Sequence, residues 1–105
     1  MENNLTYKEI VNRLSYFRVK KNMSARELAL RMGHSETYFY KVENGSIILN
    51  LPTFLSILEV LEVSTAEFFY PTPETFEIDA KTLGEFNKLS DSNRARILDL
   101  MDNLK

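Results

Sequence analysis

An all-α fold follows from three observations along this chain. Apolar residues recur at spacings of three and four, as in Ile10, Val11, Leu14 and Phe17, which is the period of a helix with one buried face. Helix-start signals of the form Ser/Thr-x-x-Glu open several of these stretches, at Thr6 with Glu9, Ser24 with Glu27 and Ser64 with Glu67. Strand-like alternation is confined to Phe76-Glu77-Ile78, too short for a sheet.

The first helix is expected from Thr6 or Tyr7 to Lys21 or Asn22. Ser24 caps a second, on which Leu28 and Met32 share a face and Ala29 is small enough for another helix to cross closely. Gly33 supplies the positive φ of a helix exit. Ser35 is read as the N-cap of a third helix. Its Phe39 and Val42 point inward, Glu36, Thr37, Tyr40 and Lys41 face outward, and Gly45 ends it. After a loop over 45–51, Asn50 caps a fourth helix whose first turn tolerates Pro52. Its inward residues are read as Phe54, Leu55, Leu58 and Leu61. A short fifth helix spans Ser64 to about Phe69.

Two prolines in Pro71-Thr72-Pro73 favour extended backbone, so residues 71–78 read as a linker. Beyond it, Asp79 is expected to cap a sixth helix with Leu83, Phe86 and Leu89 on one side. Ser90-Asp91-Ser92 breaks the pattern, and a seventh helix carries Ile97, Leu98, Met101 and Leu104. The division is a five-helix domain over 1–70, a linker, and a C-terminal helical hairpin over 79–105.

The chain has 105 residues, 44% of them hydrophobic, enough for a modest helical core. It has no cysteine, which excludes disulfides and thiolate metal sites and suits a reducing cytoplasm. With a single histidine there is no metal constellation, and no cofactor is expected. Met1-Glu2-Asn3-Asn4 lacks the basic start of a signal peptide, and no apolar run approaches the roughly 18–20 residues of a membrane span. Enzyme readings fail for lack of parts, since there is no glycine-rich phosphate loop, no His-Glu-x-x-His and no nucleophile beside a base. The net charge is −2, but it is unevenly spread. Residues 5–45 hold eight basic and four acidic groups, whereas 46–105 hold five basic and ten acidic. A basic front and an acidic rear suit a chain that meets nucleic acid with its N-terminal half.

The run from Ser24 to Gly45, with its small residue, turn glycine, apolar pair and closing Glu-Asn-Gly, resembles the helix-turn-helix of the Cro and phage-repressor-like transcriptional regulators. The resemblance extends over roughly residues 8–70. It implies a structural ion pair between Arg18 and Glu43. It also implies that the third helix reads DNA through Glu36, Thr37 and Lys41, with Tyr40 beside them. The chemistry fits, because Lys41 can donate to guanine, Glu36 can accept from cytosine N4, and the Thr37 methyl can touch thymine. The alternative for Glu36 is to orient Lys41 or Lys20. Ser24 and Ser35, at helix N-termini, and Asn44 match phosphate-facing positions, and Lys20 and Lys21 are further phosphate candidates.

The chain also departs from the family. Ala25 stands where a glutamine often touches the DNA backbone, and His34, read as a half-buried turn residue, replaces an aliphatic one. The loop after Gly45 is Ser46-Ile47-Ile48-Leu49 rather than polar, so fewer phosphate contacts and modest affinity are expected. Ile47, Ile48 and Leu49 are read as a contact surface, the alternative being that they pack into the core. Leu83, Phe86, Ile97, Leu98, Met101 and Leu104 are read as a second one that pairs two copies, the alternative being that the hairpin packs on the rear of its own domain. The implied function is a cytoplasmic repressor that binds palindromic double-stranded DNA as a homodimer. The alternative is a protein-interaction module on the same fold, resembling an anti-repressor or an antitoxin, with a protein partner instead of DNA.

Overall fold

The computed structural model describes residues 5–105; residues 1–4, on which the reading of the N-terminal start rests, lie outside them. Among the described residues there are seven α-helices and no strand. None of these helices is long and apolar enough to cross a membrane. The chain divides into two compact units, one ending at Pro71 and the other running from Thr72 to Lys105.

In the first unit, α1 (Tyr7–Lys20) begins with a complete capping box, in which the Thr6 hydroxyl accepts from the Glu9 amide and the Glu9 carboxylate accepts from the Thr6 amide. The helix ends because Asn22 turns left-handed at φ 57, so that Met23 N–H donates to the Arg18 carbonyl and Asn22 N–H to that of Val19. After it come α2 (Ala25–Arg31), α3 (Tyr38–Glu43), α4 (Leu51–Leu61) and α5 (Thr65–Phe68). Ser24, Asn50 and Ser64 each accept from the amide three residues on. At Ser24 and Ser64 the glutamate of the motif turns elsewhere: Glu27 pairs with Arg31 at 2.6 Å and Glu67 with Lys20 at 3.9 Å.

The core of this unit gathers Leu14 and Phe17 of α1, Leu28 and Ala29 of α2, Phe39 of α3, Phe54, Ile57, Leu58 and Leu61 of α4, and Phe68 of α5. Phe68 sits at its centre, with its ring 5.8 Å from that of Phe17 and 5.1 Å from that of Phe54. The inward face of α4 differs from expectation at one position. Ile57 is fully buried, whereas Leu55 is exposed, because Phe54, Ile57, Leu58 and Leu61 already complete the helical stripe.

In the second unit, a 3-10 turn over Pro73–Thr75 runs directly into α6 (Phe76–Asn87). The helix thus starts inside the stretch expected to be linker, and Asp79 is not its cap. Asp79 lies in the first turn, where its carboxylate accepts from the Thr75 hydroxyl at 3.0 Å and favours the positive end of the helix dipole. Ser90 caps α7 (Asp91–Asn103) by accepting from Asn93 N–H. Neither helix has a buried residue, and Ile78, Leu83, Leu98, Leu100, Met101 and Leu104 are all exposed.

Candidate nucleic-acid interface

α2 and α3 are joined by a turn whose geometry is set by Gly33. At φ 79 this residue lets its own N–H donate to the Leu30 carbonyl and His34 N–H to that of Ala29, closing the end of α2 in a Schellman arrangement. The third helix then opens later than its sequence suggests. Ser35 is not its N-cap: the Ser35 carbonyl, not the hydroxyl, accepts from Tyr38 N–H at 3.0 Å, so Glu36 and Thr37 form a single tight turn ahead of α3. Thr37 occupies the cap position with no side-chain hydrogen bond, which leaves its hydroxyl and methyl presented to solvent.

α3 is held by two fully buried side chains, Phe39 and Val42. With these turned inward, Thr37, Tyr40 and Lys41 are exposed on the other side, together with Glu36 from the preceding turn. Tyr40 is the most prominent large side chain of the helix, 64% exposed. Glu36 is engaged, but not by Lys41 or Lys20. Its carboxylate accepts from Arg26 Nε at 3.0 Å, because Arg26, one position into α2, projects across the turn. His34 also departs from expectation. It is exposed rather than half-buried, and its ring stacks on Tyr38 at 3.8 Å with the planes within 7° of parallel. Burial, and secondarily the neighbouring Tyr7, raise the Tyr38 hydroxyl above the ordinary tyrosine range, which keeps it protonated.

Behind α3 lies its anchor. Arg18 Nη2 donates to Glu43 Oε2 at 3.2 Å, and Ser15 Oγ donates to the same oxygen at 2.6 Å. Arg18 Nη1 donates to the Met23 carbonyl, and the guanidinium lies 5.9 Å from the Phe39 ring. Arg18 Nε is buried without a partner. One side chain thus ties α1 to both the end of α3 and the start of the connection to α2. Arg13 makes a similar tie that sequence reasoning missed, donating to the Phe68 and Tyr70 carbonyls at 2.9 and 2.8 Å. Its only signal is a basic residue one turn before Phe17, beside the inward-facing stripe of α1.

The phosphate candidates are not equivalent. Ser24 caps α2, and its hydroxyl still has a proton to donate. Asn44 is occupied locally, since its side-chain carbonyl accepts from Ser46 N–H at 2.9 Å where the chain turns at Gly45. Lys20 is drawn toward α5 by Glu67 and lies about 6 Å from the Tyr16 and Phe17 rings. Lys21 is exposed at the end of α1.

The apolar loop is split. Ile47 N–H donates to the Lys41 carbonyl, Leu49 packs on the core and its N–H donates to the Tyr7 hydroxyl, and Ile48 alone stands out at 68% exposure. Leu49 also walls an apolar groove of about 250 Å³ with Ile10, Leu51, Phe54 and Phe69. Among the described residues no group of three or more His, Cys, Asp or Glu side chains is placed to hold a metal ion.

A family model described as helix-turn-helix matches residues 14–68, just over half of the chain. No curated protein and no solved structure matches.

Proposed function

From a chain that belongs to the Cro and phage-repressor-like helix-turn-helix family of DNA-binding regulators, we propose a sequence-specific repressor that binds a palindromic operator as a homodimer. The observation that carries this reading is the split face of α3. Phe39 and Val42 bolt the helix to the core, while Thr37, Tyr40 and Lys41, and Glu36 paired with Arg26, are exposed at its other side. A helix so held enters the major groove as a rigid reader, with Lys41 donating to guanine O6 or N7 and Thr37 offering its methyl to thymine. Ser24 and Lys21 serve the backbone, which positions the protein without selecting sequence. Asn44, Ser35 and Lys20 contribute less, because the Asn44 carbonyl is used inside its own turn, Ser35 caps no helix and Lys20 leans on Glu67. Repression is the simplest mechanism for such a reader, by occupying the operator and excluding polymerase.

A second reading, a protein-interaction module, draws on the exposed Ile48 and on the solvent-facing apolar residues of α6 and α7. Selection from a random duplex library with the purified protein separates the two. A recovered palindrome with half-sites about 34 Å apart supports the repressor. Recovery of no site, together with binding that is insensitive to salt, overturns it.

A further inference from the structure

Arg26 belongs to none of the positions that the family resemblance assigns to DNA, yet it is bonded to one of them. Its Nε donates to Glu36 Oε2 at 3.0 Å, and both side chains are more than half exposed on the outer side of the α2–α3 turn. An exposed pair of this kind adds little to stability, about 0–1 kcal/mol, so the fold does not need it. Its placement gives it another use. Alone, a carboxylate at the front of a reading helix is repelled by the phosphates on both sides of the groove. Paired with a guanidinium, it enters as a neutral unit.

The pairing also fixes which atoms remain free. Glu36 uses Oε2, leaving Oε1 to accept a hydrogen bond. Arg26 uses Nε, leaving both Nη groups to donate. We propose that Arg26 and Glu36 act together as one composite reader: Glu36 Oε1 accepts from the amino group of a cytosine in the major groove, and Arg26 orients that carboxylate while its Nη groups hold the adjacent phosphate. Arg26 is thus a specificity-determining residue acting through Glu36. The inference rests on the DNA-binding reading above.

The test is library selection and binding to the recovered site with three proteins: the unaltered chain, Arg26→Ala and Glu36→Gln. The unaltered chain selects cytosine at one position per half-site. Arg26→Ala keeps the rest of the site but loses that preference about tenfold, the value of one good base contact, and lowers the salt dependence by the lost phosphate contact. Glu36→Gln moves the preference from cytosine to adenine, whose N6 and N7 suit an amide, and tightens binding to unrelated duplex because a negative charge is gone. Unchanged thermal melting for both variants separates these effects from folding. If the unaltered chain recovers a site but neither variant alters any base preference, the composite reader is wrong while DNA binding stands. If the unaltered chain recovers no site, both readings fall together.

Discussion

Glu62 and Gly45 occupy the same left-handed region of backbone space, at φ 57 and φ 87, with opposite chemistry. Glu62 ends α4 so that Val63 N–H reaches the Leu58 carbonyl, but its Cβ is strained there, whereas Gly45 has no Cβ to strain. Glu62→Gly is expected to raise stability by about 0.5–1 kcal/mol, and Gly45→Ala to lower it by about 1 kcal/mol. Nothing lies within 4 Å of the Cβ that Gly45 would gain, so that loss is backbone strain alone. Urea unfolding of the two variants checks both signs. Glu43 presents a larger effect. Its carboxylate accepts from Arg18 and Ser15 together, at side-chain exposures of 16% for Arg18 and 25% for Glu43. Glu43→Ala strands a guanidinium whose Nε already lacks a partner. The expected loss is about 1–3 kcal/mol, below the 3–5 of a fully buried pair because solvent still reaches both groups. An unfolding midpoint equal to the unaltered chain's would show that α3 is held by Phe39 and Val42 without it.

At the scale of elements, the reading of α3 is testable by separating its contacts. Lys41→Ala is expected to weaken specific binding by about 1–3 kcal/mol and to relax one base position. Lys21→Ala should weaken binding to all duplexes and lower the salt slope by about one, and Lys20→Ala less so, since Glu67 already neutralises it. Titration of the selected and a scrambled duplex at several salt concentrations distinguishes them; an unchanged affinity for Lys41→Ala removes α3 as the reader. The helices themselves were legible because their information is local. Thr6, Ser24, Asn50 and Ser64 accept from amides three residues away, and Gly33 and Gly45 sit where only a positive φ ends the helix. What was not legible depends on groups distant in sequence or competing nearby. Ser35 looks like a cap, but the tight turn at Glu36 and Thr37 hands that role to a backbone carbonyl. Leu55 and Ile57 are both apolar, and only the crossing of the other helices decides which is buried. Arg26 and Glu36 are ten residues apart with no periodic relation, so their bond follows from the angle between α2 and α3.

For the whole molecule, the distribution of burial motivates the proposed pairing of two copies through the C-terminal unit. Among the described residues every buried side chain except Pro73 lies between Val11 and Phe68, so a chain ending at Pro71 keeps the core of the first unit. In contrast, Leu83 of α6 is 59% exposed, Leu98 of α7 57% and Leu104, at the end of α7, 75%. On the proposed reading a second copy covers this surface, and the charges of α7 suit it. Arg94, paired with Asp91 at 2.6 Å, and Arg96 precede Ile97 and Leu98, while Asp99 and Asp102, the latter paired with Lys105 at 3.1 Å, follow them, so each end keeps one unpaired charge of its sign. When two such helices run antiparallel, the basic end of one meets the acidic end of the other, and parallel pairing sets like charges together. Light scattering should therefore find the full chain dimeric, and a chain ending at Pro71 monomeric, helical and cooperative in melting. The truncated chain should still bind a half-site but lose the added affinity of two linked contacts. Arg94→Glu with Arg96→Glu should dissociate the dimer, and adding Asp99→Lys with Asp102→Lys should restore it. A full chain that stays monomeric at high micromolar concentration, or a charge reversal that leaves it dimeric, would remove α7 from the interface.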